Sequence, residues 1–281
     1  MKTINLVSGG KTSAYIAANY ISDYNVFSLV RIEHNKSKFK DEKIRKLVED
    51  KIQAPFIATA EDDVIIYTIL DLEQYIGKKI DWVTGKTFDK VLNTAGTLPD
   101  PLRRYCTTQM KLEPIFDWWR NKIKNPAEFR LGFRANEQNR AKRTLAKTND
   151  KGFLEMKAIV GKRGTLNKWG LIEWQKPVFP LIKDNVYKDQ INTFWNNKPV
   201  RFAWMNNCLG CFHKHPLLIK KMLEKFPNKL EWFASKEKIK HENDVWYKDK
   251  KLSYSDIKKW NIQKELFEDD FGECDSGYCG L

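Results

Sequence analysis

Residues 4–75 alternate short apolar runs with longer amphipathic ones, and that rhythm leaves few folds open to the chain. Residues 4–7, 25–32 and 54–58 read as strands, while 12–21, 40–51 and 64–75 carry helical periodicity. Strands alternating with helices build parallel βαβ units, so the pattern predicts an α/β fold with a doubly wound, mostly parallel sheet. Residues 111–122 predict a further helix with Trp118 and Trp119 packed on the sheet, and 129–133 another strand. Residues 141–170 are basic and dotted with glycine, and read as a mobile surface loop. After a strand-like lead-in from Pro177, a helix is expected from Asn185, then two more over 217–226 and 228–238. Ser253 is placed to cap a last helix with Asp256. The expected organisation is an α/β domain over 1–200 and a helical, cysteine-bearing extension over 201–281.

The chain of 281 residues is 42% hydrophobic and 31% charged, which suits a water-soluble globule. No apolar run approaches the length of a membrane span, and the first glycines arrive too soon for a secretion signal. The reading is a cytoplasmic protein with no membrane partner. The formal charge of +14 favours polyanions such as nucleotides, tRNA or DNA, although the lysines are spread along the chain rather than gathered in one arm.

The chemistry begins at "NLVSGGKTSA", residues 5–14. Gly10, Lys11 and Thr12 match the end of a Walker loop, but the first glycine of that pattern would fall at Asn5, inside the strand. Ser8, Gly9, Gly10 and Ser13 suit a shorter phosphate loop. Glycines let the backbone wrap an anion, and the serine hydroxyls and first helical N–H groups can bind phosphate oxygens.

This stretch resembles the PP-loop of the N-type ATP pyrophosphatases, the adenine nucleotide alpha hydrolase superfamily, with Thr12 where that family usually has Asp. "RRYCTTQMKLEPI" and "LGFRANEQNR" narrow the resemblance to its phosphoadenosine phosphosulfate (PAPS) reductase branch, nearest to short phage-type members. The matching positions are Cys106, Lys111 and Pro114, then Gly132, Arg134, Glu137 and Arg140. The resemblance implies a HUP-type nucleotide-binding domain holding ATP or PAPS, with Mg2+ as a possible companion. An arginine after a strand end suits phosphate or sulfate, so Arg134 and Arg140 are expected as clamps and Glu137 as their orienting carboxylate. Arg103 and Arg104 are expected to lower the pKa of the Cys106 thiol.

The cysteines admit two readings, a [4Fe–4S] cluster on four thiolates or a structural zinc ion, the second kept open by His213 and His215 beside Cys208 and Cys211. The resemblance implies the cluster. It assigns Cys106, Cys208, Cys211 and Cys274 as ligands and Cys279 as the catalytic thiol; exchanging Cys274 and Cys279 satisfies the same pattern. The implied activity is sulfonucleotide reduction with a thiol donor such as thioredoxin. The alternatives are an ATP pyrophosphatase that adenylates tRNA or DNA for sulfur insertion, and an inactive nucleotide-binding regulator.

Overall fold

The structure is a computed structural model that describes residues 1–237 and 252–261. In chain order it holds β1 (Thr3–Val7), α1 (Lys11–Asn19), β2 (Tyr24–Ser28), β3 (Arg31–Ile32), α2 (Glu42–Ile52), β4 (Ala58–Thr59) and α3 (Val64–Ile76). Next come β5 (Ile80–Val83), α4 (Phe88–Ala95), α5 (Tyr105–Thr107), α6 (Glu113–Lys122), β6 (Ala127–Arg130) and α7 (Gln138–Leu145). The long strands β7 (Leu154–Arg163) and β8 (Leu166–Val178) precede α8 (Pro180–Lys183) and α9 (Lys188–Trp195). Then follow α10 (Pro216–Lys225), α11 (Pro227–Ser235) and α12 (Tyr254–Lys258).

The fold is α/β, with a six-stranded sheet in the order β5-β2-β1-β6-β8-β7. β1 runs parallel to both β2 and β6, and β6 runs parallel to β8, while β7 joins antiparallel to β8. Parallel neighbours present their carboxyl ends at one edge, so the segments that leave β1 and β6 emerge side by side. Among the described residues no helix is long and apolar enough to cross a membrane.

The chain divides into two compact units. Unit 1 comprises Met1–Phe27, Ile69–Asp81 and Ile115–Val200. Its core sets Trp119, Phe116, Phe129 and Trp174 edge-on or tilted, with ring centroids 5.0–6.0 Å apart. As expected, Trp119 is buried; Trp118 is half-buried with its ring against Tyr24. Unit 2 comprises Ser28–Thr68, Trp82–Pro114 and Arg201–Leu281, so the segment after residue 200 shares its core with two earlier stretches. That core packs Val30, Phe88, Leu92 and Met110 with Leu209, Ile219, Trp232 and Tyr254. Proline at the first position of α10 and of α11 starts each helix where its missing N–H costs nothing. Ser253 caps α12, with Asp256 bonded back to the Ser253 N–H at 3.1 Å.

Five expectations need correction. The apolar run 25–32 is two strands, because the Ser28 hydroxyl donates to Met110 O and the chain turns away to pair β3 antiparallel with β4. The expected strand 54–58 shrinks to Ala58–Thr59; Pro55 has no N–H, and its carbonyl accepts from Arg31 instead. The strand expected at 129–133 ends at Arg130, which leaves Gly132–Arg134 in the following loop. Residues 141–170 are not one loop: they hold the end of α7, a turn over 146–153, and most of the β7–β8 hairpin. Gly164, at φ +62°, opens its two-residue turn. The helix expected from Asn185 starts at Lys188, since Asn185 is left-handed at φ 55°.

Candidate functional site

In unit 1, β1 ends in buried backbone and the chain turns at Gly9, whose φ of +76° suits a residue without a side chain. Gly10 is the N-cap of α1 and makes no side-chain cap bond, and the first turn holds no acidic residue. The first-turn N–H groups of any helix lack intrahelical partners, so Lys11, Thr12 and Ser13 present donors at the positive end of the helix dipole. Ser13 fastens the loop: its Oγ accepts from the Ser8 N–H, lies 3.0 Å from Ser8 Oγ and donates to Gly10 O. Ser8 is exposed, so of the two expected hydroxyls it is the one open to a ligand, while Ser13 holds the turn.

The side chain of Lys11 is drawn to Asn192 of α9 at 3.1 Å, and Trp195 donates to the Lys11 carbonyl at 2.9 Å. Gly132 sits against the loop: a β-carbon there would lie 3.4 Å from Thr12 Cγ2 and 3.7 Å from Ser13 N. Thr12 therefore turns its methyl toward Gly132. Arg134 follows two residues on, 9% exposed, with its N–H and Nε both on Glu137 Oε2 at 2.8 and 3.1 Å. Arg140 reaches Glu137 Oε1 and lies over the Phe133 ring at 4.2 Å. Burial opposes ionisation of Glu137, but the Arg134 N–H and the two guanidinium groups outweigh it and hold the carboxyl below its ordinary range. One ionised carboxylate thus aligns two arginines. Of these residues it is Gly132 that touches the glycine loop, at Thr12 and Ser13, while Arg134, Glu137 and Arg140 form a group of their own in the segment that follows it.

Unit 2 holds the described cysteines. Cys208 and Cys211 lie on a tight turn in which the Cys211 N–H donates to Cys208 O at 3.0 Å. Lys214, 1% exposed, sends its ammonium to Cys208 O at 2.7 Å and so anchors the turn from within. A β-carbon on Gly210 would come within 2.4–2.7 Å of three Phe233 ring atoms, so this turn admits no side chain there. His215 caps α10, its Nδ1 accepting from the Leu217 N–H at 3.3 Å. Cys106 lies near enough for its charge and that of Cys211 to act on each other.

The expected activation of Cys106 by Arg103 and Arg104 is overturned. Burial dominates and pushes the Cys106 thiol up, Cys211 adds to it, and Thr107 and Lys111 only oppose it in part. Arg103 is spent on Asp100 at 2.9 Å. Burial, followed by Glu61, also raises the Cys208 thiol well above its usual value. Glu61 escaped the sequence reading. It is 2% exposed and pairs at 3.1 Å with Lys111, which stands in a π-helical turn, Thr108–Leu112, leading into α6.

Three thiols in one locale are the right donors for a soft metal or an iron–sulfur group, which would reverse the cost of ionising them. Among the described residues, no three or more His, Cys, Asp or Glu side chains adopt a metal-holding arrangement. Cys274 and Cys279 lie outside the described residues. No family model, curated protein or solved structure matches the chain.

Proposed function

We propose that the chain is a PP-loop enzyme of PAPS reductase type, built on a HUP-like nucleotide-binding fold. The observation that supports it most is the placement of Gly132 against Thr12 and Ser13. Gly132 leads, two residues on, into the Arg134–Glu137–Arg140 group, and the reading brings that group to the uncapped, glycine-framed helix start. In this reading the first-turn N–H groups and Ser8 take the phosphate oxygens, and the aligned arginines take the second anionic group. Thr12 offers no carboxylate for a metal ion, which suits a reaction at sulfur better than one at a metal-bound triphosphate.

A tail thiolate, Cys279 or Cys274, then attacks the sulfate sulfur. The sulfur–oxygen bond breaks, the nucleotide leaves as its phosphate, and an S-sulfocysteine forms. A dithiol donor of thioredoxin type supplies two electrons, is oxidised to its disulfide, and sulfite is released. Cys106, Cys208, Cys211 and one tail cysteine are the residues that would hold an iron–sulfur group.

The test is sulfite release from PAPS by the anaerobically purified protein with a dithiol donor. Sulfite formation dependent on the tail cysteines supports the reading. Pyrophosphate release from ATP, stimulated by nucleic acid, replaces it with the sulfur-insertion alternative. Nucleotide binding without either product makes the chain a regulator.

A further inference from the structure

The hairpin β7–β8 carries a surface that the loop chemistry does not use. The pairs Lys157–Leu171, Ile159–Trp169 and Lys162–Asn167 stand opposite one another; alternation along β8 puts Leu171, Trp169 and Asn167 on one face, and a bulge between Ile159 and Gly161 brings Lys162 to the same face as Lys157 and Ile159. All six are exposed, with Ile159 at 37%, Trp169 at 56% and Leu171 at 65%. An aromatic and two aliphatic side chains in a row on water-facing strands are costly to leave uncovered.

The charge around them has one sign. From Met156 to Ile172 the ribbon contains Lys157, Lys162, Arg163 and Lys168 and no carboxylate. The acids at its base are already engaged: Asn149 donates to both Glu155 and Glu173, and Lys151 pairs with Glu173 at 3.0 Å. Arg120 holds the ribbon from its base by donating to Ile159 O at 2.6 Å.

We propose that this ribbon docks single-stranded nucleic acid. An unpaired base stacks on Trp169 between Ile159 and Leu171, and Lys157 and Lys162, on the same face, take the flanking phosphates. Charge complementarity selects a polyanion, and the exposed aromatic selects one whose base faces are open; a duplex hides them within its stack. The surface is independent of the glycine loop, so it stands whether or not that loop binds a nucleotide.

The test is fluorescence anisotropy of labelled oligothymidylate with the full chain, no free nucleotide added, across a salt series. Two phosphate contacts give a log–log salt slope of about −1.4, and replacing Lys162 by Ala flattens it by about 0.7. Trp169→Ala weakens binding about ten-fold or more, and Trp169→Phe restores most of it. Trp169 is exposed, so circular dichroism of each variant should match the parent. Absence of binding at low salt, unchanged affinity in Trp169→Ala, or a preference for duplex overturns the proposal. So does a Trp169-dependent affinity for anionic vesicles, or for a second copy of the chain in sedimentation, without oligonucleotide binding.

Discussion

The carboxylate of Glu61 and the ammonium of Lys111 meet at 3.1 Å with the acid almost wholly removed from water, its side chain 2% exposed. Removing one partner strands the other charge in a poorly solvating place, so Lys111→Ala should destabilise the protein by about 3 kcal/mol. The double variant Glu61→Gln, Lys111→Met should recover most of that loss. Chemical denaturation of the two variants and the parent checks it. A double variant no better than Lys111→Ala would show that the pair is not the source of the cost.

The arginines around Glu137 predict a change in affinity rather than in fold. Arg134→Ala should weaken adenine nucleotide binding about 10–100-fold, the worth of a charge-assisted bond to a phosphate or sulfate oxygen. Glu137→Gln should weaken it less, because both arginines keep their charge and lose only their alignment. Calorimetric titration with PAPS distinguishes these, and equal affinity in parent and Arg134→Ala would remove Arg134 from the site.

Asp89 gives a dependence on pH. It accepts from the Glu33 N–H at 2.6 Å, from Trp232 Nε1 at 2.9 Å, and pairs with Lys236 at 3.0 Å. Burial works against its charge, yet these partners outweigh burial and hold the carboxyl below its usual value. A depressed carboxyl stabilises the fold fully above the unfolded pKa of about 3.9, and that stabilisation fades as pH falls through the folded value. The melting temperature gap between the parent and Asp89→Ala should therefore be widest near neutrality and narrow in acid. A gap independent of pH would contradict it.

Gly210→Ala should cost about 2–3 kcal/mol, since the new methyl meets the Phe233 ring and the buried turn must shift. Phe233→Leu in the same chain should return part of it, and thermal melts of the single and double variants compare the two directly.

Cys208→Ser tests the thiols. If they hold a metal group, iron or zinc content per chain should collapse, and unit 2 should lose stability because metal-binding energy is folding energy. Full metal content in that variant would release Cys208 from any ligand role.

The parts legible in sequence were those where one local rule acts alone. β1 and α1 followed from an apolar run meeting glycines, α2 and α3 from their helical period, and the Ser253 cap from a side chain bonding three residues on. Gly132 was legible as a neighbour of the loop because parallel strands share an edge. What escaped depended on partners far along the chain. An apolar run over 25–32 cannot tell that Arg31 pairs with Thr59 rather than continuing the sheet. The β7–β8 hairpin was hidden by charge: its strands alternate around Gly164–Thr165, but basic side chains on both faces resemble a solvated loop. Glu61 had no motif at all, and only the packing that buries it beside Lys111 gives it a role.

Unit 2 is assembled from segments that leave the ribosome at very different times. By the time Val200 has been made, every segment of unit 1 exists, whereas Val30, Phe88 and Leu92 still await Ile219, Trp232 and Tyr254. Asp89 must wait for Trp232. Such late, long-range closure is slow, and the half-made chain carries unburied apolar surface meanwhile. Substitutions in α10, α11 or α12 should thus surface first as poor yield during synthesis, even where the finished molecule would tolerate them.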